Sequence, residues 1–148
     1  MMQPNQSTML SLGYLGLLPF VGGIILVLTD TQLFGLSGQQ IFISYSAVIL
    51  SFLSGILWGT VIGNFQSKFG LAALILSNVF ALMAWAALLL GTHYPLAIVL
   101  LETGFIAVWI AEKYMSETNK LASPEGYQTL RNRLTIGVIV MHLILFAL

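Results

Sequence analysis

Five stretches of this chain, residues 9–28, 41–63, 71–90, 95–113 and 124–148, are dominated by apolar residues over about the length of a membrane crossing. A helix rises ~1.5 Å per residue, so some twenty residues span a hydrocarbon core of ~30 Å. The fifth stretch is the most polar at its start: its apolar part is residues 134–148, and its first turns belong to the head-group layer. The pattern predicts an all-α integral membrane protein, a five-transmembrane-helix bundle forming a single transmembrane domain over residues 1–148. Hydrophobic residues are 58% of the 148 and charged residues 7%, with a mean hydropathy of +0.96. No soluble domain covers such a core with so little polar surface. Residues 1–8 contain no Lys or Arg and so lack the positive start of a signal peptide.

Within residues 41–63 a small residue recurs every fourth position: Ala47, Ser51, Gly55, Gly59 and Gly63. Four helical residues turn ~400°, so the row drifts ~40° per step, the geometry of a close, right-handed small-xxx-small crossing. The third stretch has its own small set, Ala73, Ser77, Ala81 and Ala84, which predicts an antiparallel hairpin with facing stripes. In the first stretch Pro19, with Gly22 and Gly23 after it, predicts a kink. Residues 30–40, with Gly35, Ser37 and Gly38, read as a polar turn. Ser123, Pro124 and Glu125 read as the start of the last helix, an N-cap, a first-turn proline and an early acid.

A few polar residues exceed what a plain bundle requires. Asn78, Glu102, Thr135 and His142 form the candidate intramembrane polar site. An amide in hydrocarbon is expected to bond across helices, and a carboxylate at mid-span is costly unless protonated, paired or wetted. Glu102 therefore has two readings: a pair with His142 at similar depth, or a protonated acid bonded to a carbonyl or to a hydroxyl such as Ser51. Arg131, Thr135, Val138 and His142 share one sector of the last helix, so that stripe should face protein. Arg131 and Glu112 form a candidate ion pair at the cytoplasmic edge, while Arg133, about 200° around the helix, should face lipid phosphate or water.

With five spans, every basic residue (Lys68, Lys113, Lys120, Arg131, Arg133) falls on one side of the membrane. The positive-inside rule makes that side, with the N-terminus, cytoplasmic. The membrane expected is the bacterial inner membrane, or the mitochondrial inner membrane in a eukaryote. Five acids balance five bases, which gives no basic face for nucleic acid. There is no cysteine and there are only two histidines, so neither a metal nor a cofactor is expected.

The run Tyr45, Ser46, Ala47, Val48, Ile49, Leu50, Ser51, Phe52, Leu53, Ser54, Gly55, followed by Trp58 and Gly59, resembles the signature of a small membrane-protein family, domain of unknown function 3429. That family includes the eukaryotic transmembrane protein 69. Leu12, Gly13, Tyr14, Gly16, Leu18, Pro19 and Phe20 agree with it, as do Pro124, Tyr127, Leu130, Arg131, Leu134 and Thr135. Gly126 and Glu112 depart from it, standing where an aromatic and an aspartate are usual. The resemblance implies the fold and inner-membrane placement, and it implies no catalytic residue.

Three functions are left to weigh. The first is a non-catalytic accessory or assembly subunit of a membrane complex, with membrane lipids and that complex, or a second copy through the second span, as partners. The second is a small proton-coupled carrier, or a lipid- or quinone-binding protein, using Glu102 and the polar stripe of the last helix. An enzyme comes third, because one glutamate and one embedded histidine are a thin basis for acid–base chemistry.

Overall fold

The computed structural model describes residues 4–62, 69–91, 93–119 and 126–148. Six helices lie within them: α1 (Pro4–Leu15), α2 (Leu18–Leu28), α3 (Gly38–Ile62), α4 (Gly70–Leu89), α5 (Tyr94–Asn119) and α6 (Tyr127–Ala147). Taken with α1 and α2 as one span, Asn5–Leu28, five helices are long and apolar enough to cross a membrane. The chain is an all-helical, multi-pass membrane protein.

The ends of these elements follow from local chemistry. Pro19 has no N–H for the Leu15 carbonyl and its ring crowds that group. The chain yields just before it: Leu17 N–H bonds the Tyr14 carbonyl at 3.0 Å, and α2 restarts with Pro19 in its first turn. The expected kink at Pro19 is thus a break at Gly16 and Leu17. At α3 the Ser37 hydroxyl accepts from Gln40 N–H (3.2 Å), while Ser37 N–H donates to the Gln40 side-chain carbonyl (2.9 Å). This capping box starts the helix at Gly38, inside the stretch expected to be a turn. Helix α5 runs on to Asn119, beyond its expected end at residue 113, through a segment with neither Pro nor Gly. Gly126 has φ 81°, in the left-handed region that favours glycine, and α6 runs on from Tyr127. Ser123, Pro124 and Glu125 lie outside the described residues, as do Gly63, Lys68 and Lys120.

Two compact units are present: Met1–Phe42 with Ala122–Leu148, and Ile43–Leu121. In the first, Gly13 sits against Leu130 and Leu134, Leu17 against Gly137, and Phe20 against His142. The numbers rise together, so the α1–α2 span runs parallel to α6. By contrast Gly23 meets Phe42 and Val27 meets Gly38, which makes α2 and the start of α3 antiparallel. A Cβ built on Gly38 would lie 2.6 Å from Val27 N and 2.7 Å from Gly23 O, so only glycine allows this approach.

In the second unit α4 packs along α5, burying Ala73, Ser77, Phe80, Ala84 and Ala87. Gly104 of α5 seats Leu50 of α3: a Cβ there would be 2.6 Å from Leu50 Cδ2. The buried residues of α3 run from Gly38, Phe42 and Ile43 through Ser46, Ala47, Leu50, Leu53, Ser54 and Leu57 to Val61, a seam that recurs every three to four residues. The small-residue row departs from that seam because it drifts around the helix. Ala47 is buried, Ser51, Gly55 and Gly59 are exposed, and nothing lies within 4 Å of a Cβ placed at Gly55 or Gly59. The facing-stripe hairpin with α4 is therefore not formed through these glycines.

Candidate functional site

The most enclosed polar side chain of the first unit is His142, which is fully buried. It lies on the inward face of α6 with Leu130, Arg131, Thr135, Val138, Met141 and Leu145. Its Nδ1 is 2.8 Å from the Val138 carbonyl one turn back. A carbonyl only accepts, so Nδ1 carries a proton, and a neutral ring then has its lone pair on Nε2. Phe42 meets the imidazole edge to face at 4.8 Å, Phe20 lies 5.9 Å away, and the two phenyl rings are 5.1 Å apart. The three rings form a closed aromatic triangle. Its geometry comes from the glycines: the Gly23–Gly38 approach brings α2 and α3 close enough for Phe20, three residues before Gly23, to reach Phe42, four after Gly38.

The same face of α6 carries a second polar contact. Arg131 Nη1 donates to Thr135 Oγ1 at 3.0 Å, and both residues are buried. Arg133 points the other way, exposed, with a long 3.4 Å hydrogen bond to the Tyr14 hydroxyl of α1. Thus Arg131, Thr135 and His142 do share a buried stripe.

The remaining candidates belong to the second unit. Asn78 is exposed on α4 and donates to the Leu74 carbonyl of its own helix at 2.8 Å, so the interhelical bond expected of it is replaced by an intrahelical one. Glu102 is half-buried in the α5 span and hydrogen-bonds to no described residue, Ser51 included. Glu112 is half-buried further along α5. Ser54, Ser77 and Thr103 likewise bond to carbonyls of their own helices at 2.7 to 2.9 Å. Short polar side chains in a span are satisfied by the preceding turn, whereas a carboxylate, which only accepts, has no such recourse. Among the described residues no group of three or more His, Cys, Asp or Glu is placed to hold a metal ion.

No sequence pattern singles out Phe20 and Phe42 as partners of His142, and Gly38 falls in the stretch whose polar composition reads as a turn. The available signal was Ser37 followed by Gln40, a capping box that extends α3 back to Gly38.

A family profile described as "Protein of unknown function (DUF3429)" matches residues 5–147. The chain belongs to this family. The match takes in every span, including the break before Pro19 and the buried stripe of α6. No curated protein and no solved structure matches the chain.

Proposed function

We propose that this member of the DUF3429 family is a non-catalytic accessory or assembly subunit of a larger membrane complex, and that it receives a partner's transmembrane helix on the outward face of α3. One observation carries the reading: Ser51, Gly55 and Gly59 lie exposed in a row with open space at the two glycines. Each glycine inside a helix costs about 1 kcal/mol relative to alanine. Lipid chains give nothing back for it, whereas a second helix gains close backbone packing. Phe52 and Trp58, at 66% and 44% exposure, wall the row.

The complex is placed in the bacterial inner membrane, or its mitochondrial counterpart, with the N-terminus cytoplasmic. Support for this comes from Lys68, Lys113, Lys120, Arg131 and Arg133 all falling on the N-terminal side of a five-span chain. Extraction in a mild detergent tests the reading. The chain is expected to co-purify with a larger complex, and Gly55→Leu with Gly59→Leu is expected to abolish this while the variant still folds. Isolation alone, or only as a self-oligomer, overturns it.

Glu102 favours a second reading, a small proton-coupled carrier or a lipid- or quinone-binding protein. A half-buried carboxyl inside a span, bonded to no described residue, is the kind of group that marks intramembrane pathways. Proton-coupled uptake into vesicles that is lost in Glu102→Gln would move the assignment there.

A further inference from the structure

Between α2 and α3 the chain makes a tight turn with an apolar tip. Leu33 and Leu36 exchange both backbone hydrogen bonds, each N–H donating to the other carbonyl at 3.0 Å. The residues between them, Phe34 and Gly35, have φ 53° and 77°. Two successive positive φ angles are the mark of a type I′ turn, where Asn or Asp followed by Gly is the relaxed choice. Gly35 suits its place. Phe34 does not, because a bulky aromatic side chain in the left-handed region is sterically strained. No packing among the described residues offsets that strain: Phe34 is 95% exposed, and Leu33 and Leu36 are each 45% exposed. A strained, exposed apolar tip needs a favourable contact from outside the chain.

The position of the turn identifies that contact. The helix before it ends at Leu28, the helix after it begins at Gly38, and both belong to membrane-length spans of 24 and 25 residues. Spans of that length, roughly 36 Å, exceed the ~30 Å hydrocarbon core, so their ends and the turn lie in the head-group layer. The connection contains Asp30 and no Lys or Arg, which excludes electrostatic attraction to anionic lipid as the contact. What remains is apolar contact at the boundary between head groups and acyl chains, where aromatic rings concentrate.

We propose that the turn of Leu33, Phe34, Gly35 and Leu36 is a membrane-interface anchor, which inserts the Phe34 ring below the head groups and sets the depth of the α2–α3 hairpin. This surface is separate from the α3 glycine face and does not depend on what binds there.

The chain has no cysteine, so a single introduced one carries a probe without further engineering. A nitroxide on Phe34→Cys, in the full chain reconstituted into phosphatidylcholine vesicles, reports its collisions with oxygen, which concentrates in lipid, and with a water-soluble nickel chelate. Oxygen collisions are expected to dominate. A second nitroxide, on Gln32→Cys, is compared with Phe34 intact and with Phe34→Asn, which the turn accepts without strain. The nickel-to-oxygen ratio is expected to rise about five-fold on that change, the factor corresponding to ~1 kcal/mol of partial ring burial. A nickel-dominated label at position 34, a label shielded from both reagents by a second copy or another protein, or an unchanged ratio at position 32 would each overturn the anchor.

Discussion

The ring of Phe42 meets the ring of His142 edge to face, with centroids 4.8 Å apart and planes inclined at 72°. The imidazole is turned to that angle by its Nδ1–H bond to Val138, and the phenyl is delivered by the glycine contact at the start of α3. Phe42→Ala leaves a cavity against a buried ring, with an expected cost of about 3–5 kcal/mol. His142→Ala should cost a similar amount. Because the two rings interact directly, the double variant should fall short of additivity by about 0.5–1.5 kcal/mol. Unfolding transitions in detergent micelles measure all three values, and strict additivity would show that the contact is incidental.

The glycines divide into two kinds with opposite expected responses. Gly38→Ala drives a methyl into the backbone of α2 and should destabilise the chain by about 1–3 kcal/mol. Gly55→Ala and Gly59→Ala meet open space and should each stabilise the isolated chain by up to about 1 kcal/mol through helix propensity alone. Thermal unfolding of the three purified variants checks the contrast. Loss of stability in Gly55→Ala would mean that this face already has a partner in the purified sample.

Arg131 and Arg133, two residues apart, should respond differently to truncation. Arg131→Ala removes a buried guanidinium bonded to Thr135 and should sharply lower folded yield. Thr135→Val keeps the shape but takes away the acceptor, at about 1–3 kcal/mol. Arg133→Ala gives up only an exposed, long contact to Tyr14, expected within about 0.5 kcal/mol of wild type. Membrane abundance and unfolding midpoints of the three variants decide the order, and equal behaviour of the two arginine variants would refute it.

Reporter fusions after Leu148 are expected to read periplasmic, and fusions near residue 120 cytoplasmic, following the charge bias of the five-span chain. A cytoplasmic C-terminus would reverse the assignment.

Much of this molecule follows from sequence. Apolar length alone settles that there are five spans, because every backbone N–H and C=O in hydrocarbon must bond within its own helix. The break near Pro19 and the inward stripe of Arg131, Thr135 and His142 follow from a missing donor and from helical periodicity, both local properties. The capping box at Ser37 was legible too, although it sat in a stretch whose polar composition suggested a turn.

Tertiary structure decided which small residues are used and which polar groups find partners. Gly38 and Gly104 are packed against while Gly55 and Gly59 are not, and spacing does not distinguish them, since a row of glycines permits close approach without supplying a neighbour. The aromatic triangle depends on residues from three helices meeting at one level, a matter of how α2, α3 and α6 are stacked. Glu102 and Asn78 look alike in sequence as isolated polar groups in apolar spans. Their outcomes differ: the Asn78 amide donates to the turn below it, whereas the Glu102 carboxyl bonds to no described residue.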